Sequence, residues 1–170
     1  MPYTVFGLPT HILIIHVAVV GIPAACLVTL AIAIRPAWRR RFGYWAAGLA
    51  VVMVPITYLT QLAGEQLYNH NFNYPNSPAA QHKALGSTLV WFVLAVAVLS
   101  VALVVVEKMG YADHHAAMVV VAALAIGASA ICLVRVVQVG DSGARAAWGG
   151  YVSHPSAAAD AGRTALSAGR

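Results

Sequence analysis

The chain has 170 residues, of which 61% are hydrophobic and only 9% charged, and a formal net charge of +5. A soluble globular domain carries about a quarter of its residues as charges, so that class is excluded. No basic stripe interleaved with aromatics is present, so no nucleic-acid partner is expected. Four apolar runs, 10–34, 45–63, 84–106 and 116–139, each suffice to cross the ~30 Å hydrocarbon core of a bilayer as a helix. The expected fold is all-α: a four-transmembrane-helix bundle within residues 1–152, an ordered outer loop, and a flexible tail over 153–170.

The first run begins after Leu8-Pro9 and holds His11, His16 and Cys26. No basic residue precedes it, and it is longer than a signal-peptide core, so it is expected to be retained as a helix. Arg35, Arg39, Arg40 and Arg41 follow. Short basic loops stay cytoplasmic, which puts both termini outside the cell membrane. The second run carries Thr57, Gln61 and Glu65 at i, i+4 and i+8, along one side of its outer half. Residues 64–83 then combine Asn69, Asn71, Asn73, Asn76, Pro75 and Pro78 with Tyr68, Phe72 and Tyr74, which reads as an ordered outer cap.

His82 opens the third run, which ends at a short inner connection, 107–115. Asp113 reads as the N-cap of the fourth helix, with His114 and His115 at its solvated start. Arg135 and Gln138 close the fourth run at i, i+3, and the glycines of Gly140-Asp-Ser-Gly143 read as its C-terminal stop. Trp148 and Tyr151 suit the interface. On these boundaries Cys26 and Cys132 differ in depth by roughly 12 Å, more than the ~7 Å a disulfide spans, so they read as separate core thiols. No repeat between the two helical hairpins is visible in the residue identities.

The polar residues inside the spans collect near the outer surface, and ionisable groups at membrane depth mark functional sites by default. His11 and His16 lie about 140° apart around their helix, so one of them, not both, points into a small site. The leading assignment is b-type haem for electron transfer, with His16 and His82 as axial ligands, Glu65 orienting a ligand and Arg135 holding a propionate. A zinc-type site from His11, His16, His82 and Glu65 is the metal alternative. The haem reading implies a redox partner; the cofactor-free alternative is an accessory subunit of a larger membrane complex, with the small pair Ala123 and Gly127 as a close helix contact for internal packing or for that complex. No nucleophile elbow or phosphate loop is present, and the chain is not expected to be an enzyme by itself. The deep halves of the spans are nearly all apolar, which disfavours a transport path.

Leu8-Pro9-Thr10-His11 with His16, Ala63-Gly64-Glu65-x-Leu67, His82-x3-Gly86 and the segment Arg135 to Trp148 together resemble the bacterial membrane family of domain of unknown function 2231, over about residues 8–149. The resemblance implies four membrane helices and draws attention to His11, His16, Glu65 and His82; it implies no activity. Asp141 stands where that family often has a histidine, which removes one ligand from the last segment.

The arginine cluster generates a topology test. A cysteine introduced at Asn73 should react with a membrane-impermeant thiol reagent in intact cells; labelling only after lysis would invert the orientation.

Overall fold

A computed structural model describes residues 4–5, 8–71, 74–110 and 115–153. Two short strands, β1 (Thr4–Val5) and β2 (Leu8–Pro9), pair antiparallel and lead into four helices: α1 (Thr10–Ile34), α2 (Pro36–Asn71), α3 (Pro78–Lys108) and α4 (His115–Ser153). Each helix is long and apolar enough to cross a membrane. Around the bundle α1 contacts α2 and α4, and α3 contacts the same two, so α1 and α3 face one another diagonally.

Three helices outrun their apolar segments. With 36 and 39 residues, α2 and α4 are roughly 54 and 58 Å long, well beyond the hydrocarbon core. Outside hydrocarbon, polar residues no longer oppose a helix, so the apolar run is a lower bound on its length. The expected cap over 64–83 is therefore mostly helix. What remains between α2 and α3 includes Asn76, in the left-handed region at φ 63°, and Ser77, whose hydroxyl caps α3 by accepting from the Ala80 amide at 3.1 Å. The side chain of Tyr68 reaches back to donate to the Tyr74 carbonyl. Phe72, Asn73, Asp113 and His114 lie outside the described residues, as does the tail beyond Ser153.

The expected stop at Gly140–Gly143 is corrected: α4 runs straight through it. An i, i+4 ion pair, Arg145 Nε to Asp141 Oδ2 at 3.0 Å, and the Ser142 hydroxyl, which donates to the Val139 carbonyl, keep the segment helical. The expected depth offset between the two cysteines is overturned as well, because they share one core cluster. Cys26 and Cys132 are fully buried in one core cluster and interact thiol to thiol.

A structural repeat underlies the bundle. Each buried position of α3, namely Leu89, Val93, Val96, Ala97, Ser100, Leu103 and Val104, lies 71 residues after a buried position of α1: Ala18, Ile22, Ala25, Cys26, Thr29, Ile32 and Ala33. The buried residues of α4, Met118, Ala125, Ser129 and Cys132, follow buried Arg39, Ala46, Ala50 and Met53 of α2 by 79. Even the helix starts, Pro36 and His115, keep that spacing. The hairpins α1–α2 and α3–α4 are thus two copies of one packing pattern, related by a pseudo-twofold axis along the bundle. The sequence hides it because the paired identities differ at nearly every core position.

Helix packing in lipid gains nothing from excluding water and relies on close contact between small residues. The core supplies these as Ala18, Ala25, Ala46, Ala50, Ala97 and Ala125. At one place the fit is tighter: a Cβ on Gly21 would lie 2.5 Å from the Met53 sulfur. Ala123 and Gly127, by contrast, are exposed, with nothing within 4 Å of where a Gly127 Cβ would stand, so they make no close contact within the bundle.

At the end opposite the histidines the repeat is broken by an ion pair. Arg39, only 4% exposed, donates from Nη1 to the Ile32 and Ala33 carbonyls at the end of α1 and from Nε to Glu107 at 2.7 Å. The exposed Arg40 lies 3.6 Å from the other Glu107 oxygen. Breaking a buried pair leaves a charge without a partner, at about 3–5 kcal/mol, whereas exposed pairs contribute about 0–1 kcal/mol. Glu107→Ala should therefore lower detergent stability by about 3 kcal/mol and Arg40→Ala by less than 1, measured by chemical or thermal unfolding.

Candidate functional site

The histidine end of the bundle is packed differently from the rest. Outward of Ala18, Thr57, Leu89 and Cys132, the fully buried residues among those described are Thr10 and Ala63. The outer third is therefore partly open, and its polar side chains decide its chemistry.

His11, in the first turn of α1, is half-buried and donates from Nδ1 to the Thr60 carbonyl of α2 at 3.0 Å. The ring lies over Gly64, one turn further along α2, where a Cβ would come within 3.0 Å of the His11 Cε1 atom. His82, early in α3, repeats this arrangement on α4. Its Nδ1 donates to the Val139 carbonyl at 3.1 Å and lies 3.1 Å from the Ser142 hydroxyl, and its Cε1 lies 3.0 Å from where a Cβ of Gly143 would stand. The spacings are those of the repeat: 71 residues between the histidines, and 79 both between the carbonyls and between the glycines. The two imidazoles are close enough for a charge on one to act on the other.

The hydrogen bonds settle the tautomers. A carbonyl only accepts, so Nδ1 carries a proton in both rings, and in its neutral form each imidazole keeps a lone pair on Nε2. An Nδ1–H bonded to a backbone carbonyl is how proteins orient a metal-bound histidine. The arrangement can present two nitrogen donors from the diagonal helices to one ligand.

His16 is placed elsewhere. It is exposed, with Nδ1 against the Ile12 carbonyl of its own helix at 2.6 Å, so of the two first-helix histidines the structure brings His11, not His16, to His82. Arg135 also points away: its Nη1 donates to Gln138 at 3.2 Å, and the guanidinium stacks over Phe92 at 5.1 Å. These contacts replace the expected place of Arg135 beside the histidines, and Asp141 bonds Arg145. Glu65 is half-buried beside Gly64. Among the described residues no three His, Cys, Asp or Glu side chains gather in metal-binding range, so the zinc set of His11, His16, His82 and Glu65 is not assembled. Gln61, one residue after Thr60, keeps a buried side-chain oxygen without a partner. His115 begins α4 at the opposite end and is exposed.

Sequence reasoning missed Thr60, Gly64, Val139, Ser142 and Gly143. The signal was present as a glycine one turn after the carbonyl that receives each histidine, but Gly143 was read as a helix stop.

The family described as Predicted membrane protein (DUF2231) matches residues 7–154, and the chain belongs to it. No curated protein and no solved structure matches.

The glycine seats give a stability test with an internal control. Gly64→Ala and Gly143→Ala push a methyl into an imidazole, and overpacking costs about 1–3 kcal/mol. Gly48→Ala and Gly127→Ala meet open space and should gain up to about 1 kcal/mol of helix propensity. Thermal unfolding in detergent reads both signs.

Proposed function

We propose that the protein binds one b-type haem between His11 and His82 at the outer end of the bundle and serves in electron transfer. The observation that carries this reading is the paired anchoring of the two imidazoles through Nδ1, on diagonal helices, with both Nε2 atoms left as donors. A haem iron already holds four porphyrin nitrogens and needs only two protein ligands, which is the number the site offers; zinc asks for three or four. The loosely filled outer third favours a bulky group, and Gly64 and Gly143 let the rings seat against α2 and α4. His11 and His82 would hold the group, and a haem held by both would supply electron transfer rather than oxygen binding. The chain's own contribution is orientation: the Thr60 and Val139 carbonyls fix the rings, and Ser142 adds a polar contact to His82. Gln61, with its unpaired oxygen, is the polar group left to meet a bound molecule.

The test is the visible spectrum of the protein purified in detergent from haem-replete cells. A Soret band and an α band that sharpens on reduction are expected. His11→Ala or His82→Ala should abolish the low-spin spectrum, while His16→Ala and His115→Ala should leave it. A colourless, haem-free protein, or loss of the spectrum in His16→Ala, would overturn this reading. The first result favours the accessory-subunit alternative, with the histidines acting as packing locks.

A further inference from the structure

At the end opposite the histidines, α2 and α3 border a half-open cavity of about 190 Å³ lined by Arg39, Arg40, Tyr44, Val104, Glu107 and Lys108. We propose that this cavity binds the phosphodiester headgroup of one anionic phospholipid.

Charge is the first argument. Three cations line the cavity against one carboxylate, an excess of two positive charges. Glu107 is already committed: one oxygen accepts from Arg39 Nε and the other lies near Arg40. Arg39 is spent on Glu107 and on two backbone carbonyls. Arg40, whose side chain is 63% exposed and only loosely paired with Glu107 at 3.6 Å, and Lys108 remain to meet an anion. Lys108 Nζ stands 5.3 Å over the Tyr44 ring, and this cation–π contact holds the ammonium on the cavity wall without neutralising it.

Depth is the second argument. Trp38, Tyr44 and Trp45 are exposed on α2 at this level, and aromatic rings of this kind gather at the headgroup layer. Arg35 lies over Trp38 and Arg41 over Phe42, so the cations of this end are arrayed at an aromatic belt. The cavity therefore sits where a lipid phosphate is, with Val104 and Tyr44 as an apolar side for the glycerol and first acyl carbons. Basic pockets between membrane helices are the established setting for anionic headgroups. This cavity and the histidine pair lie at opposite ends of the bundle and share no residue.

The experiment is native mass spectrometry of the full chain released from bilayer discs of mixed phosphatidylglycerol and phosphatidylcholine. One phosphatidylglycerol should be retained in preference. A basic residue near the surface contributes about fivefold in affinity for anionic lipid, so Arg40→Gln combined with Lys108→Gln should cut the preference about 30-fold. Both side chains are exposed, so this variant should keep the thermal midpoint of the wild type. Arg35→Gln combined with Arg41→Gln removes the same charge outside the cavity and should keep the preference. Equal retention of the two lipids by the wild type, or equal losses in the two double variants, overturns the proposal. Stabilisation of delipidated protein by inorganic phosphate, lost with Arg40 and Lys108 but without lipid enrichment, would overturn the lipid assignment in favour of a soluble anion.

Discussion

Hydrocarbon supplies no hydrogen bonds, so a polar group placed within a membrane bundle must find its partner in the chain. That constraint organises both ends of this molecule. At one end the last carbonyls of α1 accept from the buried guanidinium of Arg39. At the other, His11 and His82 each cross to a carbonyl of the neighbouring helix. Between them, Thr57 and Thr60 donate to carbonyls one turn back in their own helix. The hydroxyls of Thr29, Ser100 and Ser129 stand apart, fully buried and without partners. Buried between the helices, they act as small residues that let backbones approach, at the expense of hydrogen bonding.

The pseudo-twofold repeat explains why the candidate site has two histidines. A single hairpin that seats a histidine over a glycine of its partner helix, used twice around one axis, brings two imidazoles to the same depth from diagonal helices. A shared ligand on or near the axis then meets equivalent donors. The repeat also shows where the two halves diverge. Arg39 of the first hairpin corresponds to Met118 of the second, so the guanidinium that locks α1 to α2 and α3 has a thioether as its counterpart. The charged cavity at that end is a consequence of this asymmetry, whereas the histidine pair is a consequence of the symmetry.

The four spans and their order were legible because apolar length is a direct response to bilayer thickness. Helix ends were not, since apolar length says nothing about where a helix stops once it has left the hydrocarbon; the glycines of 140–143 and the asparagines of 69–71 pointed to breaks that do not occur. That His82 belongs to the site was readable from its place at the start of the third span. The choice between His11 and His16 was not, because helical phase alone separates the two without saying which faces inward. Packing decides it: Gly64 opens space beside His11, and among the described residues no glycine lies against His16. Arg39 was read as one of four topology charges, because a guanidinium that turns back into the bundle has the same sequence signature as one that turns to water.

The whole site turns on the first-helix residue facing His82 being His11 and not His16. Single cysteine pairs placed at 11 and 82, and at 16 and 82, in a chain whose Cys26 and Cys132 are replaced by alanine, can be challenged in membranes with a short bifunctional maleimide. The account predicts that the 11–82 pair cross-links within one chain and protects both thiols from later labelling, while the 16–82 pair stays open. Cross-linking of 16–82 at an equal or faster rate, or failure of 11–82 to link at all, would contradict it.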